Sequence, residues 1–169
     1  MKSTPVKGTR DYLPAEVQIR DYLQNVIKET YQEAGFERIT TPIIEDAVNL
    51  DKSEGGENLN LIFKILKRGQ KLNSALANPD AGEKELADMG LRYDLTLPLS
   101  RYYANNRNDL MSPFKVIQMD RVYRAERPQK GRLREFMQCD IDIIGNPSCD
   151  AEVELILTTT KALTRIGLD

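Results

Sequence analysis

Two strand-like runs separated by one short loop restrict the possible folds of this 169-residue chain more than any other feature. The first run, Phe114–Tyr123, is apolar on both faces and contains β-branched residues, which predicts a central strand. The second run, Glu135–Ile144, predicts another strand. Because a parallel crossover needs a dozen or more residues, the loop of about ten residues between the runs favours an antiparallel hairpin.

Helical spacing predicts a helix in the N-terminal part of the chain. Apolar residues recur every three or four positions from Ala15 onward, and Gly35 stands where a glycine commonly ends a helix. Residues 36–41 are short, β-branched and aromatic, and Pro42 follows them. The pattern therefore predicts a helix, a tight turn and a short strand.

The middle of the chain is less regular. Residues 51–60 predict a loop, and residues 61–69 predict a strand that ends in a turn. Residues 83–89 predict a short helix inside a stretch with little other order. Thr96 is a good N-cap residue and Pro98 lies close to the first helical position, so together they predict the start of a longer helix.

A last helix completes the predicted order of elements. Acidic residues from Asp150 load its first turn, and Gly167 ends it. The order is helix, strands, helix, antiparallel hairpin, helix. It predicts an α+β fold in which a mainly antiparallel sheet is flanked by helices, within one domain.

Composition limits the chemistry that the chain can perform. The net charge is −2, so any binding site for a polyanion must be local. The chain contains no histidine, the commonest general base, and we expect no metal site built from protein ligands. Cys139 and Cys149 are expected to be reduced thiols. The sequence has no membrane-spanning run and no signal-peptide pattern, which favours a cytoplasmic protein.

The loop between the two strands concentrates positive charge. Its basic residues are Arg124, Arg127, Lys130, Arg132 and Arg134. A solvated hairpin tip is one interpretation, since charges are common there. A nucleotide site is the other, because arginine suits bidentate contact with phosphate and Phe136 supplies an aromatic plane four residues after Arg132.

Several motifs resemble one enzyme family. Arg124-x-Glu126, a loop and then Arg132-x-x-x-Phe136 is similar to the second signature of class II aminoacyl-tRNA synthetases. The longer run ERPQKGRLREFMQCDIDIIG resembles the histidyl-tRNA synthetase family in particular, as do KGTRDYLP, GFERITTPIIE and LRYDLTLPLSRY. The motifs run over essentially the whole chain. The resemblance implies a class II synthetase catalytic core and a ligase that joins histidine to tRNA(His).

The resemblance also implies a role for each motif residue. Arg124 is the expected catalytic residue and would hold the α-phosphate of ATP and the carboxylate of histidine. Glu126 would lie at the adenine side, Arg132 would reach the terminal phosphates, and Phe136 would stack on adenine. Magnesium would bind through the ATP phosphates. The first helix with GFERITTP resembles the signature that forms the homodimer interface, although its apolar stripe fits a core helix equally well.

The histidine pocket is expected to be lined by Asp94, Thr96, Gln138 and Asp142, together with Arg124. Gln138 and Asp142 share one face of a strand by its period of two. A carboxylate there would accept charge-assisted hydrogen bonds from an imidazole or an α-ammonium group. Two plainer interpretations stay open, in which Asp94 is a helix-start carboxylate and Asp142 an edge-strand charge.

The chain also departs from the family pattern. It ends at Asp169 without the family's third signature, its histidine-specific segment or its anticodon-binding domain, so residues 1–169 are expected to be the N-terminal portion of a catalytic domain. We expect weak ATP binding and poor turnover from this piece alone. One alternative is the non-catalytic regulatory subunit of ATP phosphoribosyltransferase, a silent relative of the family. Other class II synthetases and an orphan fragment that only dimerises are further alternatives.

Overall fold

The computed structural model describes residues 2–51 and 61–168 and contains both helices and strands. The helices are α1 (Pro14–Glu33), α2 (Ala47–Asp51), α3 (Gly69–Leu76), α4 (Glu83–Leu86), α5 (Thr96–Asn106) and α6 (Asp150–Arg165). The strands are β1 (Glu37–Arg38), β2 (Ile44–Asp46), β3 (Lys64–Leu66), β4 (Ala87–Leu91), β5 (Phe114–Tyr123) and β6 (Glu135–Ile144). The described residues form two compact units. The first comprises residues 2–9, 41–51, 61–102 and 121–137, and the second comprises residues 10–40, 103–120 and 138–168.

One sheet has the order β1-β5-β6 and contains the predicted hairpin. Strands β5 and β6 have the predicted bounds and are neighbours in this sheet, so the hairpin prediction is confirmed. At the base of the loop the backbone N–H of Arg124 donates to the carbonyl oxygen of Arg134 at 2.8 Å. Strand β1 pairs with β5 in parallel, with Glu37 opposite Val116. The sheet is therefore mixed, with its antiparallel part in the hairpin.

The core of the second unit packs α1 and α6 against this sheet. Tyr31, Phe36, Ile117 and Ala162 are buried together, and the rings of Tyr31 and Phe36 meet edge to face at 5.4 Å. The Tyr31 hydroxyl lies 2.9 Å from the Thr159 hydroxyl oxygen and joins the two helices. Helices α1 and α6 end just before Gly35 and Gly167, as predicted. The strand predicted over residues 36–41 is shorter, because only Glu37 and Arg38 form the ladder.

The second sheet lies in the first unit and has the order β2-β4-β3, with both pairs antiparallel. Its central strand β4 corrects the sequence prediction, which placed a helix over residues 83–89. Helix α4 ends at Leu86, and Gly90 lies within β4. A Cβ at Gly90 would come within 2.6 Å of the Leu50 Cδ1 and 3.1 Å of the Phe63 carbonyl oxygen. Glycine here permits close packing of strand and core, although it resembles a chain breaker in the sequence.

Two other predictions for this region have different outcomes. Helix α3 begins at Gly69, where the sequence predicted only a turn, and strand β3 occupies Lys64–Leu66 within the predicted strand. The loop predicted over residues 51–60 lies outside the described residues except for Asp51, which ends α2. Among the helices of residues 2–51 and 61–168, none has the length and apolar content that a membrane crossing requires.

Candidate active site

The loop between β5 and β6 encloses a cavity of about 340 Å³ in the first unit. The loop folds back on itself because Gln129 and Arg132 exchange backbone hydrogen bonds of 3.2 and 3.0 Å. The cavity is lined by Arg124, Glu126, Arg127, Pro128, Gly131, Arg132, Leu133 and Phe136. All four residues that the motifs assign to ATP therefore line one cavity.

Arg124 is positioned by the segment that follows β4. Its Nε donates a hydrogen bond to the carbonyl oxygen of Tyr93 at 3.1 Å, and its Cζ lies 5.1 Å from the centre of the Phe136 ring. These contacts use the inner part of the guanidinium. The two terminal nitrogens form no hydrogen bond with any described residue, so they are available for a phosphate or carboxylate.

Glu126 and Arg132 form an ion pair in the cavity wall. The Arg132 Nη1 lies 3.5 Å from the Glu126 Oε2, and the Arg132 side chain is 71% exposed. An exposed pair of this length contributes about 0–1 kcal/mol. A ligand phosphate can therefore compete for Arg132 at little cost.

Asp94 lies at the start of α5 and near Arg124. Its Oδ1 accepts a hydrogen bond from the Leu97 backbone N–H at 3.3 Å, so the plainer interpretation of a helix-start carboxylate describes a real contact. Burial raises the pKa of Asp94, while the Leu97 hydrogen bond and the positive charge of Arg124 oppose that rise. Helix α5 begins at the predicted Thr96, which is exposed.

Gln138 and Asp142 lie in the second unit, where they are on the same face of β6. The Gln138 Oε1 is buried and has no hydrogen-bond partner among the residues that the structure describes. Burial raises the pKa of Asp142. A buried amide oxygen without a donor and a half-buried carboxylate both favour a ligand that supplies N–H groups or positive charge.

Two features of the loop were not assigned from the sequence. Arg127 and Pro128 line the cavity, and only their position inside the motif could have indicated it. Arg134 instead hydrogen-bonds backbone carbonyl groups, among them that of Glu126 at 3.0 Å. In the described part of the chain, no group of three or more His, Cys, Asp or Glu side chains could hold a metal ion.

Comparison with known proteins identifies related sequences. A family model described as Histidyl-tRNA synthetase matches residues 8–169. The histidine--tRNA ligase of Leifsonia xyli subsp. xyli is 46% identical to this chain over 166 residues, which are 98% of this chain and 38% of that protein. The chain thus spans about 38% of the length of that curated relative.

Solved structures share the fold. The histidyl-tRNA synthetase from Nostoc sp. PCC 7120 superposes with a TM-score of 0.76 at 29% identity, over 97% of this chain and 34% of that chain. A protein from Bacillus halodurans C, described as an ATP phosphoribosyltransferase regulatory subunit/histidyl-tRNA synthetase, superposes with a TM-score of 0.77 at 24% identity. That match covers 100% of this chain and 39% of the other, and at this identity it shows the fold alone.

Proposed function

Because this chain belongs to the histidyl-tRNA synthetase family, we propose that it forms the ATP- and histidine-binding part of a histidine–tRNA ligase. Residues 1–169 would be the N-terminal portion of a class II catalytic domain that contains the first and second signatures. One observation carries the proposal: Arg124, Glu126, Arg132 and Phe136 line the same cavity. Its volume is within the usual range for small-molecule sites, about 300–1,000 Å³.

ATP would bind with its charge toward the arginines and its base toward the ring. Arg124 would hold the α-phosphate with its free terminal nitrogens, and Arg132 would leave Glu126 to reach the terminal phosphates. Adenine would stack on Phe136, with Glu126 at its edge. Both the cations and the aromatic ring that a nucleotide needs are therefore supplied by one hairpin.

Magnesium fits this site only as a companion of the nucleotide. Among the described residues that line the cavity, Glu126 is the one carboxylate, which is too few for a protein-held Mg²⁺. The ion would be held by the phosphate oxygens of ATP, where it neutralises their charge.

Histidine would bind through hydrogen-bond acceptors, which are an amide oxygen and two carboxylates. Gln138 has a buried oxygen that can accept an N–H, and Asp142 is a half-buried carboxylate that a cation would stabilise. Asp94 and Thr96 would contribute from the start of α5, and Arg124 would hold the substrate carboxylate. Since the Leu97 backbone N–H already occupies part of the acceptor capacity of Asp94, its remaining lone pairs would face the ligand.

The reaction would proceed in two displacements. An oxygen of the histidine carboxylate attacks the α-phosphorus of ATP, and the bond to the departing pyrophosphate breaks, which leaves histidyl-adenylate. A hydroxyl at the 3′ end of tRNA(His) then attacks the acyl carbon and AMP leaves. Arg124 neutralises the charge that grows on the α-phosphate oxygens, and the remaining residues orient the reactants.

The proposal extends to a cytoplasmic homodimer. Helix α1 resembles the family signature for dimerisation, and it exposes apolar side chains that a core helix would bury. Ile19 and Tyr22 are each 62% exposed, and Val17 is 40% exposed. Burial of such a face against a second copy would support a dimer.

Amino-acid-dependent exchange between ATP and pyrophosphate tests the proposal on the intact gene product. Exchange with histidine and with no other standard amino acid is the expected result. The regulatory-subunit alternative shares the fold of this chain, and it predicts histidine binding without exchange. Absence of exchange in a folded protein that binds histidine would therefore replace the proposed ligase with that alternative.

A further inference from the structure

The Arg134 guanidinium is directed toward the backbone of its own loop. Its Nε donates to the carbonyl oxygen of Glu126 at 3.0 Å, and its Nη2 lies 3.5 Å from that of Ala125. Its Nη1 donates to the carbonyl oxygen of Lys7 at 3.4 Å. Arg134 is not among the residues that line the cavity, but it holds the backbone from which Arg124 and Glu126 extend into it.

The main chain of Arg134 connects the same three segments. Its N–H donates to the carbonyl oxygen of Gly8 at 2.6 Å, and its carbonyl oxygen accepts from the Arg124 N–H at 2.8 Å. The beginning of the loop, its end and an N-terminal segment thus meet at one residue. All of them belong to the first unit.

The N-terminal segment forms a compact turn over residues 6–9. The backbone N–H and the hydroxyl of Thr9 both donate to the Val6 carbonyl oxygen, at 2.9 and 2.8 Å. Gly8 has a φ of +91°, and a Cβ there would lie 2.8 Å from the Arg134 Cγ and 3.1 Å from the Pro128 Cβ. The turn therefore packs directly on the Arg134 side chain and on a residue of the cavity wall, and only glycine permits this approach.

We propose that Arg134 is a positioning residue for the nucleotide site. Together with the turn of residues 6–9 it forms a brace that holds residues 124–128 in the path that points Arg124 and Glu126 into the cavity. This proposal rests on the proposed function in one respect, namely that the ligand of the cavity is ATP.

The chemistry of phosphate binding explains why such a brace matters. Bidentate contact requires the guanidinium of Arg124 at a defined distance and angle, and a misplacement of about 1 Å can cost about a hundredfold in rate. An unbraced loop would have to be ordered by the ligand itself, which lowers affinity. Lysine at position 134 would keep the charge but lacks the planar fork that reaches several carbonyl groups.

The test compares Arg134→Lys with a matched arginine of the same hairpin. Arg121 is 58% exposed and pairs with Glu135 at 2.9 Å, so Arg121→Gln removes one surface ion pair of β5 and β6. In the exchange assay on the intact gene product, Arg134→Lys should raise the KM for ATP about tenfold and that for histidine by less than about twofold. Arg121→Gln should change neither KM by more than about twofold.

A second variant pair examines the contact with the turn. Gly8→Ala should raise the KM for ATP in the wild-type background, because its methyl group collides with the Arg134 Cγ. In an Arg134→Ala background that carbon is absent, so only the backbone strain at φ +91° and the contact with the Pro128 Cβ remain, and the same change should raise the KM by a smaller factor. If Arg134→Ala does not fold, Arg134→Lys alone decides the proposal.

The possible results distinguish failure of the proposal for Arg134 from failure of the proposed function. Equal increases in both KM values, or an unchanged KM for ATP with only a lower thermal midpoint, would show that Arg134 acts on general stability and would overturn the brace. If the wild-type protein shows no histidine-dependent exchange, the proposed function fails. The role of Arg134 is then tested by the dissociation constant of a fluorescent ATP analogue. Arg134→Lys should raise this constant about tenfold, and Arg121→Gln by less than about twofold.

Discussion

Substitution of Arg124 by lysine and by alanine separates its position from its charge. Lysine retains the charge but loses the hydrogen bond to the Tyr93 carbonyl oxygen and the defined stacking on Phe136. The first loss costs about 1.5 kcal/mol and the second about 0.5–1 kcal/mol. The sum of about 2 kcal/mol corresponds to a roughly 30-fold lower kcat/KM for histidine-dependent exchange.

Alanine also removes the positive charge. Two unit charges 4 Å apart at an effective dielectric constant of about 20 interact with about 4 kcal/mol, so we expect alanine to lose about a thousandfold beyond the lysine variant, or roughly 30,000-fold relative to wild type. The assay is exchange of labelled pyrophosphate at saturating histidine, with urea unfolding to verify that each variant is folded. Equal losses for lysine and alanine would contradict the charge argument. Exchange within about threefold of wild type for Arg124→Ala would remove Arg124 from the mechanism altogether.

Two further predictions concern a buried and a half-buried charged group. Arg92 is fully buried and donates to the carbonyl oxygens of Thr41 (2.7 Å) and Arg121 (2.9 Å), so Arg92→Met should lower the free energy of unfolding by about 2–6 kcal/mol in urea titrations. Thr41→Val, which removes only a hydroxyl contact of 3.2 Å, should cost about 1 kcal/mol, and equal effects would be inconsistent with this account. Asp142→Asn should raise the thermal midpoint at neutral pH and abolish histidine-dependent exchange. Burial raises the pKa of Asp142, so ionisation weakens the folded state above that pKa and the gain should vanish in acid; a gain that persists in acid would refute the reasoning.

Short sequence patterns correctly predicted those helix ends and strands whose formation depends mainly on residues close together in the chain. The β5–β6 hairpin follows from two β-branched runs and a loop too short for a crossover, and its bounds agree with the structure. The ends of α1 and α6 follow from Gly35 and Gly167, because glycine adopts the backbone conformation that closes a helix. Arg124 and Phe136, which the motif resemblance predicts to bind ATP, line one cavity because their motif lies on that hairpin.

Other features depend on neighbours that are distant in sequence. Gly90 lies in a central strand because Leu50 and the Phe63 backbone leave no room for a side chain, and no local pattern contains that information. Arg92 resembles a surface arginine in the sequence, yet it is buried and donates to carbonyl groups of residues 41 and 121, among other contacts. The parallel pairing of β1 with β5 likewise joins segments separated by most of the chain.

The ends of α1 and α6, the β5–β6 hairpin and the family could be predicted from the sequence alone, since each depends on glycines, strand patterns or motifs whose residues lie close together in the chain. The contacts of each loop arginine, in contrast, depend on the tertiary structure. Arg124 and Arg132 face the cavity, whereas Arg134 hydrogen-bonds the backbone near Gly8. Those roles differ because a guanidinium binds whichever acceptors the fold brings within about 3 Å, and for Arg134 one acceptor belongs to an N-terminal turn far away in the chain.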